Sequence, residues 1–276
     1  MDDKERKRLE KEEAKKRKAA EKEARQLQRQ KEKTARDLRR EILKYARDEQ
    51  FAPALAAALP LFWNDYYTLE TADEMDMNEA FRFFDWFVYD YQHEDQPRLI
   101  EQFATEMQTE ITVLQEELVS EWLTAPPSGV YYYDDFDGFS QQFKLRDFFS
   151  DEEMIVFSGA GTGRASQGDL IMARIVPVGE RLEFSTVAAF IPQDEIEGLQ
   201  ARIDEAKTAA AETHPEESHE EFMRRKGSYL IVHHALAKAE EADRYPVTRL
   251  DPKRIDKAAQ RAAKKVVKKV VRKRKK

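Results

Sequence analysis

No glycine or proline occurs before Pro53, and from Asp3 to about Asp48 the chain consists almost wholly of Glu, Lys, Arg, Ala, Gln and Leu. These are strong helix formers, and with nothing to stop it a single long helix is the natural state of such a segment. Glu and Lys or Arg recur four apart, as in Glu12–Lys16 and Glu21–Arg25, so ion pairs along the helix support it without a core. Fully helical, the segment would reach roughly 70 Å at 1.5 Å per residue. Apolar positions are sparse until Leu38, Ile42, Leu43 and Ala46, where an amphipathic stripe begins. Residues 1–37 thus read as a charged, solvated arm, and the turns after it as docked on a body.

Residues 38–127 read as an aromatic-rich helical domain. Periodicity places helices at Ala54–Trp63, Asn78–Tyr91, Pro97–Met107 and Ile111–Leu123. In the second, Phe83, Phe84, Phe87 and Tyr91 fall at three-and-four spacing, with Trp86, Val88 and Tyr89 widening the apolar arc. Such a helix must be buried on most sides. The Ala125–Gly129 stretch, with two prolines, ends the helical part.

From Val130 the period becomes strand-like. Val130–Asp134, Phe139–Asp147, Met154–Ser158, Gly168–Pro177 and Arg181–Phe190 are the candidate strands, bounded by Asp137-Gly138, the Gly159–Gly163 loop and Gly179. Five short strands across residues 128–192 suit a small SH3-like or OB-like β-barrel. Helices resume in residues 193–252, at Asp194 to about Glu212 and from Pro215 or Glu216 to Ala242. The tail, residues 253–276, repeats AAQR, AAKK, VVKK, VVRK, a basic amphipathic helix by pattern. The expected class is α+β: long charged helix, helical domain, small barrel, C-terminal helices and basic tail.

The net charge of -7 conceals opposite parts. Residues 1–50 hold 19 basic and 13 acidic side chains, residues 51–252 hold 15 and 40, and residues 253–276 hold 13 and 1. The body repels phosphates; the tail attracts them. The absence of cysteine excludes disulfides, thiolate zinc sites and thiol nucleophiles and fits a reducing compartment. The longest apolar run, Phe51–Trp63, is too short to span a bilayer, and the charged N-terminus has no secretory-leader pattern. A cytoplasmic protein without membrane attachment is expected.

Phe84-Asp85-Trp86-Phe87 with Asp90-Tyr91, Leu99-Ile100-Glu101 with Phe103, Glu121-Trp122, and Gly168-Asp169-Leu170 with Ala173-Arg174 resemble an uncharacterised group of bacterial proteins, some relatives of which are associated with SEC-C motifs. The resemblance spans about half of the chain, Tyr45 to Phe190. It implies a helical domain followed by a small β-module and carries over no functional residue. The cysteine-rich metal tail of SEC-C proteins is absent.

Several clusters invite a functional reading. Gly159–Arg164 has the glycines of a phosphate cradle, but no Gly-Lys-Ser/Thr ending and no following helix, so it reads as a loop between strands. Asp134, Asp135 and Asp137 with Gly138 lack calcium-loop spacing and read as a hairpin turn. His214, His219 and His233-His234, near Glu216 and Glu217, lack a metal-ligand spacing and read as surface or capping histidines. No metal or other cofactor is expected. No nucleophile, base and orienting group can be assembled from the sequence, so no catalytic residue is assigned. Asp85 and Asp90 are the carboxylates to inspect, because burial among aromatics raises a carboxyl pKa; an ion-pair or capping role is the alternative.

The expected function is non-catalytic binding. Lys264, Lys265, Lys268, Lys269, Arg272, Lys273, Arg274, Lys275 and Lys276 are the candidate nucleic-acid-binding residues, contacting RNA, DNA or a ribonucleoprotein through counterion release rather than base reading. The acidic body is left to a protein partner. Two other readings stand beside this: a self-assembling scaffold whose basic arms bind acidic bodies of other copies, and an enzyme with a polar cleft at Asp85 or Asp90.

Overall fold

The computed structural model describes residues 3–158 and 165–242 of the chain. Helix α1 (Asp3–Tyr45) is continuous over 43 residues. Residues 11–27 are exposed along its whole circumference, and the Glu12–Lys16 pair forms at 3.4 Å. Glu21 pairs one turn back, with Arg17 at 3.6 Å, rather than with Arg25. The stripe then sinks into the body: Ala35, Leu38 and Ile42 are buried, as is Ala46 just beyond the helix. Docking begins earlier than the apolar pattern implies, through polar groups. Gln28 Nε2 donates to the Val178 carbonyl at 2.9 Å, and Lys31 and Glu32 pair with Glu117 and Arg181.

Helix α2 (Ala52–Trp63) carries proline in its first turn and ends on left-handed Asn64. Helix α3 (Met77–Tyr89) is started by Asp76 and Glu79, each accepting a backbone N–H of the other. That closes the orphan donors of the first turn. Its far side buries Phe83, Trp86, Phe87, Val88 and Tyr89, each contributing about 1.5–3 kcal/mol by removal from water. Helix α4 (Leu99–Glu106) packs on it, and α5 (Val113–Leu123) packs on α4 and α1.

The strands are β1 (Gly129–Asp137), β2 (Gln142–Asp147), β3 (Glu153–Phe157), β4 (Leu170–Ala173), β5 (Ile175–Val178), β6 (Arg181–Phe184) and β7 (Ala189–Ile191). They form one sheet in the order β5-β6-β3-β2-β1-β4-β7, antiparallel except where β3 runs parallel to β6. A single residue, Arg174, separates β4 from β5, yet the two lie toward opposite ends of that order. Only a sheet that curls back on itself permits this, and the result is a half-barrel.

The five expected strands are therefore seven: Gly168–Pro177 breaks at Arg174, and Arg181–Phe190 breaks at Ser185–Ala188. Side chains alternate as the pleat requires. Val130, Leu170, Met172, Val176 and Val178 join the helices in the main core, while Tyr131, Phe143, Leu145, Ile171 and Ile175 pack chiefly on one another.

Helix α6 (Leu199–Ala211) follows, then the short α7 (His219–Phe222), which runs through a π turn (Met223–Gly227) into α8 (Ser228–Glu241). Helix α8 packs on α2 and α6. Among the described residues no helix is long and apolar enough to cross a membrane.

Candidate functional site

The ends of α3 and α5 present carbonyls that no further helical turn can satisfy. Three arginines from distant segments meet them. Arg98 donates to the carbonyls of Tyr89 and Leu123, Arg174 to Pro126 and Arg224 to Tyr89 and Ala125. Positive charge is favourable at helix C-termini, and the π turn aims Arg224 at this point.

Arg174 is the centre of the cluster and is 1% exposed. Its Nε donates to Asp85 Oδ2 at 3.0 Å, its Nη2 donates to Asp90 Oδ2, and its guanidinium lies 4.9 Å from the centre of the Tyr89 ring. Asp90 Oδ1 accepts from Arg224 at 3.3 Å. Asp85 Oδ1 accepts from the Ser185 hydroxyl. Burial pushes the Asp85 carboxyl upward, opposed by the Arg174 charge and by Ser185. The two carboxylates flagged by the sequence thus share one cation and are out of bulk water. A proton or substrate taken up at Asp85 would compete with Arg174 and Ser185, so the arrangement holds α3 to the sheet more readily than it performs acid–base chemistry.

Asp85 also reaches one end of a cavity of about 550 Å³. Phe81, Phe84 and Val88 of α3 form one wall and Phe143, Ile171 and Phe184 of the sheet another. Arg36, Arg39 and Arg40 of α1 line a third side, and the break between β6 and β7, from Ser185 to Ala188, completes it. The volume lies in the range of small-molecule sites.

The other sequence candidates are dispersed. Asp137 accepts from Phe139 N and Ser140 Oγ, closing the β1–β2 turn, and Asp134 sits at a bulge between paired Tyr133 and Asp135. His233 and His234 are buried, not superficial. Each Nε2–H donates to a carbonyl at 2.8 Å, of Leu61 and Glu195 respectively, and burial lowers both pKa values. His214 is exposed, and His219 packs on the Phe149 ring. Among the described residues no three His, Asp or Glu side chains converge as metal ligands. The Gly159–Arg164 loop and the tail residues Lys264 through Lys276 lie outside the described residues. The sequence reading missed Arg174, Ser185, Arg224 and the arginine side of the cavity; the adjacent Ala173-Arg174 and Phe84–Phe87 blocks were the available signals.

Residues 4–224 match the model of a family described as a family of unknown function (DUF7986). The matched span contains the arginine–aspartate cluster and the cavity, and stops before α8 and the basic tail. No curated protein and no solved structure matches the chain.

Proposed function

The chain belongs to a family of unknown function (DUF7986), and on that premise we propose from its own chemistry that it is a non-catalytic binding protein. Its helical arm and lysine-rich tail contact nucleic acid or a ribonucleoprotein without reading sequence, and its acidic body takes a protein partner. The observation that supports this most is the arm itself: over residues 11–27 α1 stands clear of the body with every residue exposed. A helix held out in water with 7 basic and 4 acidic side chains over that stretch has no packing role, and its charge suits a polyanion. The tail adds 13 basic residues against one acidic one. Engagement of Asp85 and Asp90 by Arg174 supports the non-catalytic half of the reading.

An SH3-like or OB-like identity for the sheet, kinship with SEC-C-associated bacterial proteins and a cytoplasmic location belong to the same proposal.

The test is salt-stepped retention on RNA and DNA of the full chain, of a form lacking residues 253–276 and of one lacking residues 1–27. Retention by the full chain should fall steeply with salt and drop further with each deletion. Retention unchanged in both deletions would overturn the reading, and a mass in light scattering that grows as salt falls would favour the self-assembling scaffold instead.

A further inference from the structure

A folded chain does not keep an apolar hollow of about 550 Å³ open to water without cost, because interiors otherwise close to the density of organic crystals. This one is walled by Phe81, Phe84, Val88, Phe143, Ile171 and Phe184, and its charged groups are not distributed evenly. At the α1 side stand three arginines. Arg36 is exposed and has no ion-pair partner among the described residues, and Arg40 is exposed and holds only Asp37, at 3.2 Å. Arg39 lies over the Trp122 ring and pairs with Glu183 at 3.6 Å. Arg36 and Arg40 are therefore the cations left to a ligand at this side. At the other end Asp85 is already neutralised by Arg174.

We infer that this cavity binds an anionic amphiphile: an acyl or similarly apolar body lies between α3 and the sheet, and a carboxylate or phosphate head meets the exposed Arg36 and Arg40. The head accepts from these two guanidinium groups in the charge-assisted geometry they favour. The aromatic walls take the body. A neutral amphiphile gains nothing from Arg36 and Arg40, a cationic one meets like charge there, and the chain's own basic tail would bring like charge to the same side. This inference does not depend on nucleic-acid binding.

The experiment is calorimetric titration of the full chain with dodecanoate and dodecyl phosphate below their micelle concentrations, against dodecanol and dodecyltrimethylammonium. Saturable one-to-one binding of the two anions is expected, with an accompanying rise in Tm. Arg36→Ala and Arg40→Ala should each weaken it about tenfold, the scale of one charge-assisted hydrogen bond. Ala188→Trp, which adds bulk from the β6–β7 break, should abolish binding while circular dichroism stays unchanged. Three results would overturn the inference: no saturable binding of either anion by the full chain, equal binding of all four probes, or undiminished binding by a folded Ala188→Trp protein. Binding that appears only once residues 253–276 are removed would assign the cavity to the tail and also overturn it.

Discussion

Arg174 Nε and Asp85 Oδ2 meet at 3.0 Å across 89 positions of the chain, with side-chain exposures of 0% and 7%. The pair joins the point where the strand breaks between β4 and β5 to the middle of the aromatic helix α3. Taking two ions out of water is costly, and it is tolerated here because the guanidinium also serves Asp90, the Pro126 carbonyl and the Tyr89 ring. The pair therefore dictates how sheet and helix sit on one another more than it adds net stability.

Arg174→Met should cost about 3–5 kcal/mol, because it leaves Asp85 and Asp90 buried without their shared cation. Arg174→Lys should recover only part of this, since an ammonium cannot serve three acceptors in the plane of a guanidinium. Urea unfolding of the three proteins is the check, and a Met variant as stable as the parent would contradict the role given to the cluster.

Removing residues 1–27 should leave the unfolding midpoint of the body unchanged, because the side chains of residues 11–27 are exposed. Leu38→Ala or Ile42→Ala, in the same helix but fully buried, should each cost about 2–5 kcal/mol. Circular dichroism melts separate the two halves of α1.

Gly179→Ala should loosen the arm from the body. Gly179 has φ +65°, and a Cβ there would stand 2.5 Å from Gln28 Oε1. The left-handed backbone alone costs an alanine roughly 1–2 kcal/mol. Hydrogen exchange should quicken around Gln28 to Glu32, and the combination with Gln28→Ala should cost less than the sum of the two changes.

Acid should weaken the fold before the carboxylates titrate. Burial lowers the pKa of His219, His233 and His234 below 6.5. Below that value the unfolded chain takes up protons that the folded chain refuses, so stability is complete above it and falls as pH drops toward the folded-state values. Thermal melts between about pH 7.5 and pH 5.5 should show a falling Tm, and His233→Gln with His234→Gln should flatten that slope.

Much of the local structure is legible in the residues. The three-and-four spacing of Phe83, Phe84 and Phe87 locates α3 to within two residues, and the Leu38–Ile42 stripe marks where α1 sinks into the body. The break at Arg174 is not legible, because apolar residues run on both sides of it, from Leu170 to Ala173 and from Ile175 to Val176, while the groups it serves, Asp85 and Asp90, lie far off in the chain. The burial of His233 and His234 is hidden for a similar reason: adjacent polar residues on a helix read as exposed until α2 and α6 are known to cover both sides. The polar docking of Gln28 leaves no apolar trace at all.

By itself the sequence determined the helical arm, which regions are helical and which are strand, and the separation of an acidic body from a basic tail. These follow from propensity, periodicity and charge, which act between near neighbours or by summation along the chain. Tertiary structure alone decided that Asp85 and Asp90 share the Arg174 cation, that the sheet curls, and that three arginines of α1 face an apolar cavity. Those arrangements join residues far apart in the chain, and burial sets their energies by removing water from groups whose local sequence is compatible with either environment.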